Sequence, residues 1–227
     1  MAKTKSFADK AIKYFTSLSP AEKLPAGISI INPYKTIPVK TIVKQFFKKF
    51  YSDKRERLFV IGINPGRFGG GLTGISFTDP VALREKCRIE NDLGTRKELS
   101  SIFIYKVIES ISNTEKFFSK VFLTALYPLT ITKDGKNYNY YDEKGLLELL
   151  KTDIVKSLSV QIGFGARRDK AIVLGKKNAK FFIPINEEYK FFKTIVVLDH
   201  PRYIMQYRLK RVDNYVKNYL AALFQRV

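Results

Sequence analysis

Along the start of the chain, Phe7, Ala11, Tyr14, Phe15 and Leu18 recur at helical spacing, which predicts a helix over 7–18 that Ser19-Pro20 ends. A stretch punctuated by Pro25, Gly27, Pro33 and Pro38 carries no period and reads as irregular. Residues 39–51 return to the helical pattern, with Ile42, Phe46, Phe47 and Phe50 on the apolar face and Lys40, Lys44 and Lys48 on the polar one. There the period changes. Residues 58–63 form a short apolar run ending at Asn64-Pro65-Gly66, the pattern of a buried strand entering a loop. Similar runs at 121–126, 171–174 and 195–198 alternate with helical patterns at 99–111, 143–158, 178–182 and 208–224. One more helix is expected to begin near Pro80, with Asp79 as its cap.

Short apolar strands separated by helices imply a parallel sheet, because strands buried on both faces need crossover helices to cover them. The expected fold class is therefore α/β, a three-layer α/β/α sandwich around a central, mainly parallel four-stranded sheet. Residues 1–227 are expected to form one domain. Ligands of such sheets bind in the crevice beyond the carboxyl ends of the strands. Three of the four strand ends carry unusual residues: Asn64-Pro65-Gly66, Tyr127-Pro128-Leu129 and Asp199-His200-Pro201.

Composition narrows the function classes. Lysines and arginines number 41 against 21 acidic residues, a net charge of +20. Such an excess attracts polyanions and favours nucleic acid through phosphate neutralisation, although a lysine-rich solubilising surface would give the same count. The lone Cys87 excludes an internal disulfide framework. With His200 the single histidine, no Cys or His cluster is available for zinc, so neither metal nor cofactor is expected. The apolar runs fall far short of a bilayer, and the basic opening from Met1 to Lys5 leads into no apolar core. No membrane span and no secretory signal are read, and a cytoplasmic monomer is expected, nucleoid-associated if the source is a prokaryote.

The segment from Gly62 to Phe77 reads Gly-Ile-Asn-Pro-Gly-Arg-Phe-Gly-Gly-Gly-Leu-Thr-Gly-Ile-Ser-Phe. Its five glycines after Asn64 let backbone approach a ligand closely. No Gly-Lys-Ser or Gly-Lys-Thr follows, and the glycine placement of a dinucleotide-binding turn is missing as well. This stretch resembles, without a gap, the first motif of the uracil-DNA glycosylase superfamily in its single-strand-selective monofunctional (SMUG) branch: Gly-Met-Asn-Pro-Gly-x-Phe-Gly, then Thr-Gly-x-x-Phe. Downstream, Pro128-Leu129 and Gly135-Lys136-Asn137 resemble the Pro-Leu and Gly-Arg-Asn positions of that family. Asp199-His200-Pro201-Arg202 is similar to the start of its second motif, His-Pro-Ser-Pro-Arg, and Asn32-Pro33-Tyr34 to an Asn-Pro segment that precedes the first.

The resemblance implies a DNA repair enzyme that flips uracil, or a related base, out of single- or double-stranded DNA and hydrolyses its N-glycosidic bond. Asn64 takes the position of the catalytic asparagine that orients the attacking water, a service an amide performs by accepting a hydrogen bond. His200 takes that of the histidine that stabilises charge on the leaving base. Phe77 matches the aromatic residue on which the base stacks, and the backbone of Gly62, Ile63, Pro65 and Gly66 would line the pocket. Arg67, Ser76, Arg202, Tyr203, Met205 and Arg208 are expected on the DNA side, with Tyr203 or Met205 filling the gap the base leaves. No lysine in either motif is placed as a Schiff-base nucleophile, so no lyase step is expected.

One position departs from the family. The asparagine that reads the pyrimidine edge, three residues before Pro128, is here Ala125. Asn137 and Asp79 are the substitutes considered, Asp79 reading equally as a helix cap. Two basic clusters, Arg167-Arg168-Asp169-Lys170 and Gly175-Lys176-Lys177, are candidates to extend a DNA track. Rival readings are a non-catalytic nucleic-acid-binding module, a glycosylase for xanthine or hypoxanthine, and a phosphotransferase using the glycine loop. The last would need a Ser/Thr and carboxylate pair for Mg²⁺ that no Walker arrangement supplies.

Overall fold

In the computed structural model, which describes residues 4–20 and 24–225, all four predicted apolar runs are strands. Met1 to Lys3 of the basic opening lie outside the described residues. The strands are β1 (Ile28–Ile31), β2 (Arg57–Gly62), β3 (Val121–Ala125), β4 (Thr130–Lys133), β5 (Lys136–Tyr138), β6 (Ala166–Leu174) and β7 (Thr194–Leu198). The helices are α1 (Phe7–Phe15), α2 (Ile37–Tyr51), α3 (Gly70–Thr73), α4 (Pro80–Glu85), α5 (Leu99–Glu109), α6 (Thr114–Phe118), α7 (Lys144–Ile162), α8 (Lys176–Tyr189), α9 (Pro201–Tyr207) and α10 (Val212–Phe224).

The central sheet has the order β3-β2-β6-β7, every pair parallel, with helices on its faces. Every residue of β2 and β3 is buried, which is why both read as unbroken apolar runs. The edge strand β7 is only partly covered. After β2 the chain moves to β3 on one side, and after β6 to β7 on the other. The sheet therefore switches direction between β2 and β6, and the glycine-rich loop leaves β2 at that point. Phe7 from α1 and Tyr51 from α2 stack at 5.1 Å and meet Phe122 of β3, which anchors both helices on the sheet.

The structure corrects several boundaries and adds a second sheet. The first helix stops at Phe15, α7 continues to Ile162, and α8 runs over 176–189 with Pro184 inside it. Residues 209–211 form a 3₁₀ turn, so the last helix begins at Val212 rather than near 208. The stretch read as irregular contains β1, which joins β4 and β5 in an antiparallel sheet of order β1-β4-β5. Asp134 and Gly135, both at positive φ (50° and 71°), form the tight turn between β4 and β5. Asp-Gly is the sequence signature of such a turn, because both central residues must enter the left-handed region.

Candidate active site

A cavity of about 280 Å³ opens at the carboxyl ends of the parallel strands. It is lined by Ile63, Asn64, Pro65 and Gly66 from the loop after β2, by Ser76 and Phe77 at that loop's far end, by Ala125 closing β3, and by His200 and Arg202 beyond β7. Three segments far apart in the chain thus converge on one volume.

The Asn64 side chain is held at both ends. Its Nδ2 donates to the Tyr138 carbonyl (3.0 Å), and its Oδ1 accepts the Tyr140 N–H (3.3 Å). Those backbone groups belong to the chain leaving β5, so the small antiparallel sheet aims the amide. Tyr140 is in turn fixed from below: its hydroxyl donates to Asn178 Oδ1 (2.8 Å), and Asn178 Nδ2 donates to the carbonyls of Ile61 and Leu174 at the ends of β2 and β6. An amide oxygen has two lone pairs. One is used by Tyr140, and the second remains to orient a water.

His200 is the N-cap of α9. Its Nδ1 accepts the Arg202 N–H (3.2 Å), and Pro201 occupies the first helical position, where no N–H is needed. An acceptor at Nδ1 places the proton of the neutral ring on Nε2, leaving an N–H donor. Burial, with the Arg202 charge adding to it, pushes the imidazole down to about 4, so the ring is neutral at physiological pH. The turn before it is pinned by Tyr219 of α10, whose hydroxyl donates to the Asp199 carbonyl (2.6 Å).

Phe77 sits at φ 58°, in the left-handed region that a bulky residue rarely adopts. That conformation lays its ring against the backbone of Gly62, where any Cβ would overlap ring atoms. Glycine at the end of β2 is therefore the seat of the aromatic ring. The Phe77 and His200 rings are 6.1 Å apart, centroid to centroid. Strain held in a pocket wall by surrounding packing is a recurrent mark of ligand clamps.

Asp79 is fully buried and committed. One carboxylate oxygen accepts the Ala82 N–H (2.8 Å), capping α4, and the other accepts the Glu98 N–H (2.9 Å). Of its two readings, the helix cap holds. Asn137 reaches the cavity, but its Oδ1 accepts the Arg67 N–H (3.0 Å). Glu98, missed by sequence reasoning, also lines the pocket, beside Arg202. An adjoining cavity is lined by Arg67, Phe68, Arg96, Lys97, Lys136 and Arg202. There the guanidinium groups of Arg67 and Arg96 lie 4.4 and 3.9 Å from the Phe68 ring centroid, an arrangement that presents positive charge beside the pocket mouth.

The other expected DNA contacts divide. Tyr203 points outward, 37% exposed, whereas Met205 packs partly buried against the core. Arg208 caps the far end of α9, 5.2 Å from the Tyr203 ring, and does not line the pocket. The cluster Arg167-Arg168-Asp169-Lys170 occupies the start of β6, at the opposite end of the sheet from the pocket. There Arg167 pairs with Asp169, Arg168 donates to the carbonyls of Lys190 and Phe191, and Lys170 donates to that of Ala222. Those groups tie the fold together rather than extend the pocket face. Lys177, in the first turn of α8, pairs with Asp142 (3.2 Å).

A family model described as the uracil DNA glycosylase superfamily matches residues 48–224. The chain is also similar to the crystal structure of wild-type Pedobacter heparinus SMUG2, with a TM-score of 0.93 and 41% sequence identity, covering 96% of this chain and 97% of that one. Comparison with curated proteins gives no match.

Proposed function

Because the chain belongs to the uracil DNA glycosylase superfamily, we propose that its pocket receives a uracil flipped from DNA and that Asn64 and His200 carry the hydrolysis. The protein is a DNA repair glycosylase of the monofunctional type. What remains for its own residues to explain is how the bond from C1′ to the base nitrogen is broken.

Phe77 offers a flat apolar face for the base. As the bond lengthens, its electron pair moves onto the base and negative charge grows at the pyrimidine O2. The His200 Nε2–H is the donor available to that oxygen, in a site where burial strengthens the interaction. The sugar becomes oxocarbenium-like. A water held on the free lone pair of Asn64 Oδ1 then bonds to C1′ and releases its proton to solvent. Since departure of the base runs ahead of attack, orientation suffices and no strong base is required of Asn64. The observation that carries this reading is the convergence of the clamped Asn64 amide, the Nε2–H of His200 and the Phe77 ring on one cavity.

Ala125 favours a second reading. It lines the pocket yet offers no side-chain donor or acceptor, so a related deaminated base such as hypoxanthine or xanthine could be accepted too. The test for both is incubation with labelled DNA carrying one uracil, hypoxanthine or xanthine, free of metal and nucleotide, followed by alkali. Cleavage at the modified position is expected, most strongly for uracil. DNA that stays intact in every case would leave a binding module only.

A further inference from the structure

We propose that Glu98 is the base-reading residue of this pocket, hydrogen-bonding as a neutral acid to the base edge on which a ring N–H adjoins a carbonyl oxygen. The inference rests on the reading that the cavity takes a flipped base.

Elimination among the pocket's polar side chains leads there. Ala125 has nothing to offer, and Asn64 is tied at both amide ends. Asn137 Oδ1 already accepts the Arg67 N–H and Asn139 Nδ2 donates to Asp142, so neither amide has both its oxygen and its nitrogen uncommitted. Ser76 and Ser100 present one oxygen each, not the two-atom face that an N–H beside a C=O requires. Glu98 is half-buried and lines the cavity, and its carboxyl makes no hydrogen bond among the described residues. A polar group left unpaired in a sheltered position is costly unless a ligand completes it.

Its placement is also built. The Glu98 N–H is held by Asp79, so the buried cap of α4 positions the residue. The carboxyl then lies flat against the glycine loop: a Cβ on Gly66 would overlap one of its oxygens, and a Cβ on Gly69 the other. The two glycines make room for this side chain, much as Gly62 makes room for Phe77.

A protonated carboxyl presents one O–H donor and one carbonyl acceptor, the same pair as the amide that Ala125 lacks. Uracil N3–H and O4 match it, as do N1–H and O6 of hypoxanthine and xanthine. An ionised carboxylate would accept from the N–H but repel the neighbouring oxygen. Burial, reinforced by Asp79 and opposed by Arg202, pushes the carboxyl up to about 7, so the neutral form is well populated at physiological pH. The charged and titratable groups around it are Arg202 on α9 with His200 before it, Asp79 ahead of α4, Arg67 in the glycine loop, Lys136 on β5, and Arg96 and Lys97 on its own segment.

The test is single-turnover excision of uracil from DNA between pH 5.5 and 8.5 by wild type, Glu98→Gln and Glu98→Ala, with thermal melting to verify folding. Wild type should hold its rate below about pH 7 and lose it above, approaching tenfold per pH unit. Glu98→Gln, permanently neutral, should stay within a few-fold of wild type at pH 6 and lose the alkaline decline. Glu98→Ala should lie at least tenfold below wild type at pH 6 and show no alkaline decline. A wild-type rate that climbs through pH 7, with Glu98→Gln as inactive as Glu98→Ala, would make the carboxylate a base and overturn the proposal. So would two folded variants indistinguishable from wild type. If Glu98→Gln does not fold, the wild-type profile alone decides between a fall and a climb. A wild-type protein that frees no base from DNA would instead overturn the underlying reading.

Discussion

The two ends of the parallel sheet treat buried polarity in opposite ways. At the amino end of β2, Arg57 is fully buried and its guanidinium is fully engaged. It pairs with Asp53 at 2.6 Å, donates to the carbonyls of Phe118 and Arg55, and lies 5.0 Å from the ring centroids of both Phe7 and Tyr51. Desolvation alone would raise the Asp53 carboxyl, but hydrogen bonds from Arg57 and Arg55 outweigh it and hold it at about 2. At the carboxyl end three polar groups are fixed by hydrogen bonds yet keep an unused face: Asn64, held through both Nδ2 and Oδ1, keeps a lone pair, His200 keeps an N–H, and Glu98, held through its own N–H, keeps a whole carboxyl. Polarity closed on itself serves the fold. Polarity fixed but left open serves a ligand.

Breaking the closed end should have the largest effect on stability. Arg57→Ala leaves Asp53 with Arg55 alone and strips the carbonyls of Phe118, Arg55 and Phe50 of their donor, so the protein should lose about 3–5 kcal/mol, read from chemical denaturation. Activity per folded molecule should be preserved, because nothing at the pocket changes. A variant that kept its stability but lost excision would erase the distinction between the two ends.

At the open end, Gly62→Ala should cost about 1–3 kcal/mol, the usual price of overpacking, because the new methyl overlaps the Phe77 ring. Excision should slow as the base platform shifts. Adding Phe77→Ala should not slow it by the full second factor, since the two residues share one contact. Strictly additive effects in a double-mutant cycle would show that Gly62 is not the seat of Phe77.

The sheet and the glycine loop were legible in the sequence because both follow from period. β2 and β3 are buried on both faces and read as unbroken apolar runs, and five glycines after Asn64 have no simple structural use. The groups that aim Asn64 were not legible, since they are the backbone atoms of Tyr138 and Tyr140, and any residue carries those. The hairpin that brings them there did leave a signal in Asp134-Gly135, flanked by Ile131 and Tyr138. Glu98 left none. It follows a charged, aperiodic stretch, and only the fold turns its carboxyl onto Gly66 and Gly69. Met205, a candidate for the gap the base leaves, packs partly buried against the core, and periodicity over seven residues cannot say which face of a helix beginning at Pro201 turns inward.

The smallest expected effect is in the pH dependence of stability. His200 is held at about 4 against an ordinary 6.5, so the unfolded chain binds its proton first and stability falls as pH drops from about 6.5 to 4. Glu98 is held at about 7 against 4.5, so the native protein keeps its proton longer and stability falls as pH rises from about 4.5 to 7. The two oppose each other between pH 4.5 and 6.5. Relative to wild type, Glu98→Gln should therefore gain stability with rising pH across that window, and His200→Asn should lose it, each by about 1–3 kcal/mol. Denaturation midpoints that run parallel for all three proteins would mean that neither group is desolvated as the geometry implies.

As proposed, Asn64 and His200 act on the reacting atoms rather than on the grip of the protein on DNA. Single-turnover excision of uracil, measured together with DNA affinity for wild type, Asn64→Ala and His200→Ala, separates the two roles. Each variant should excise about 10²- to 10³-fold more slowly while binding uracil-containing DNA within a few-fold of wild type. Folded variants that excise at the wild-type rate, or whose loss of activity is matched by an equal loss of DNA affinity, would contradict the proposal.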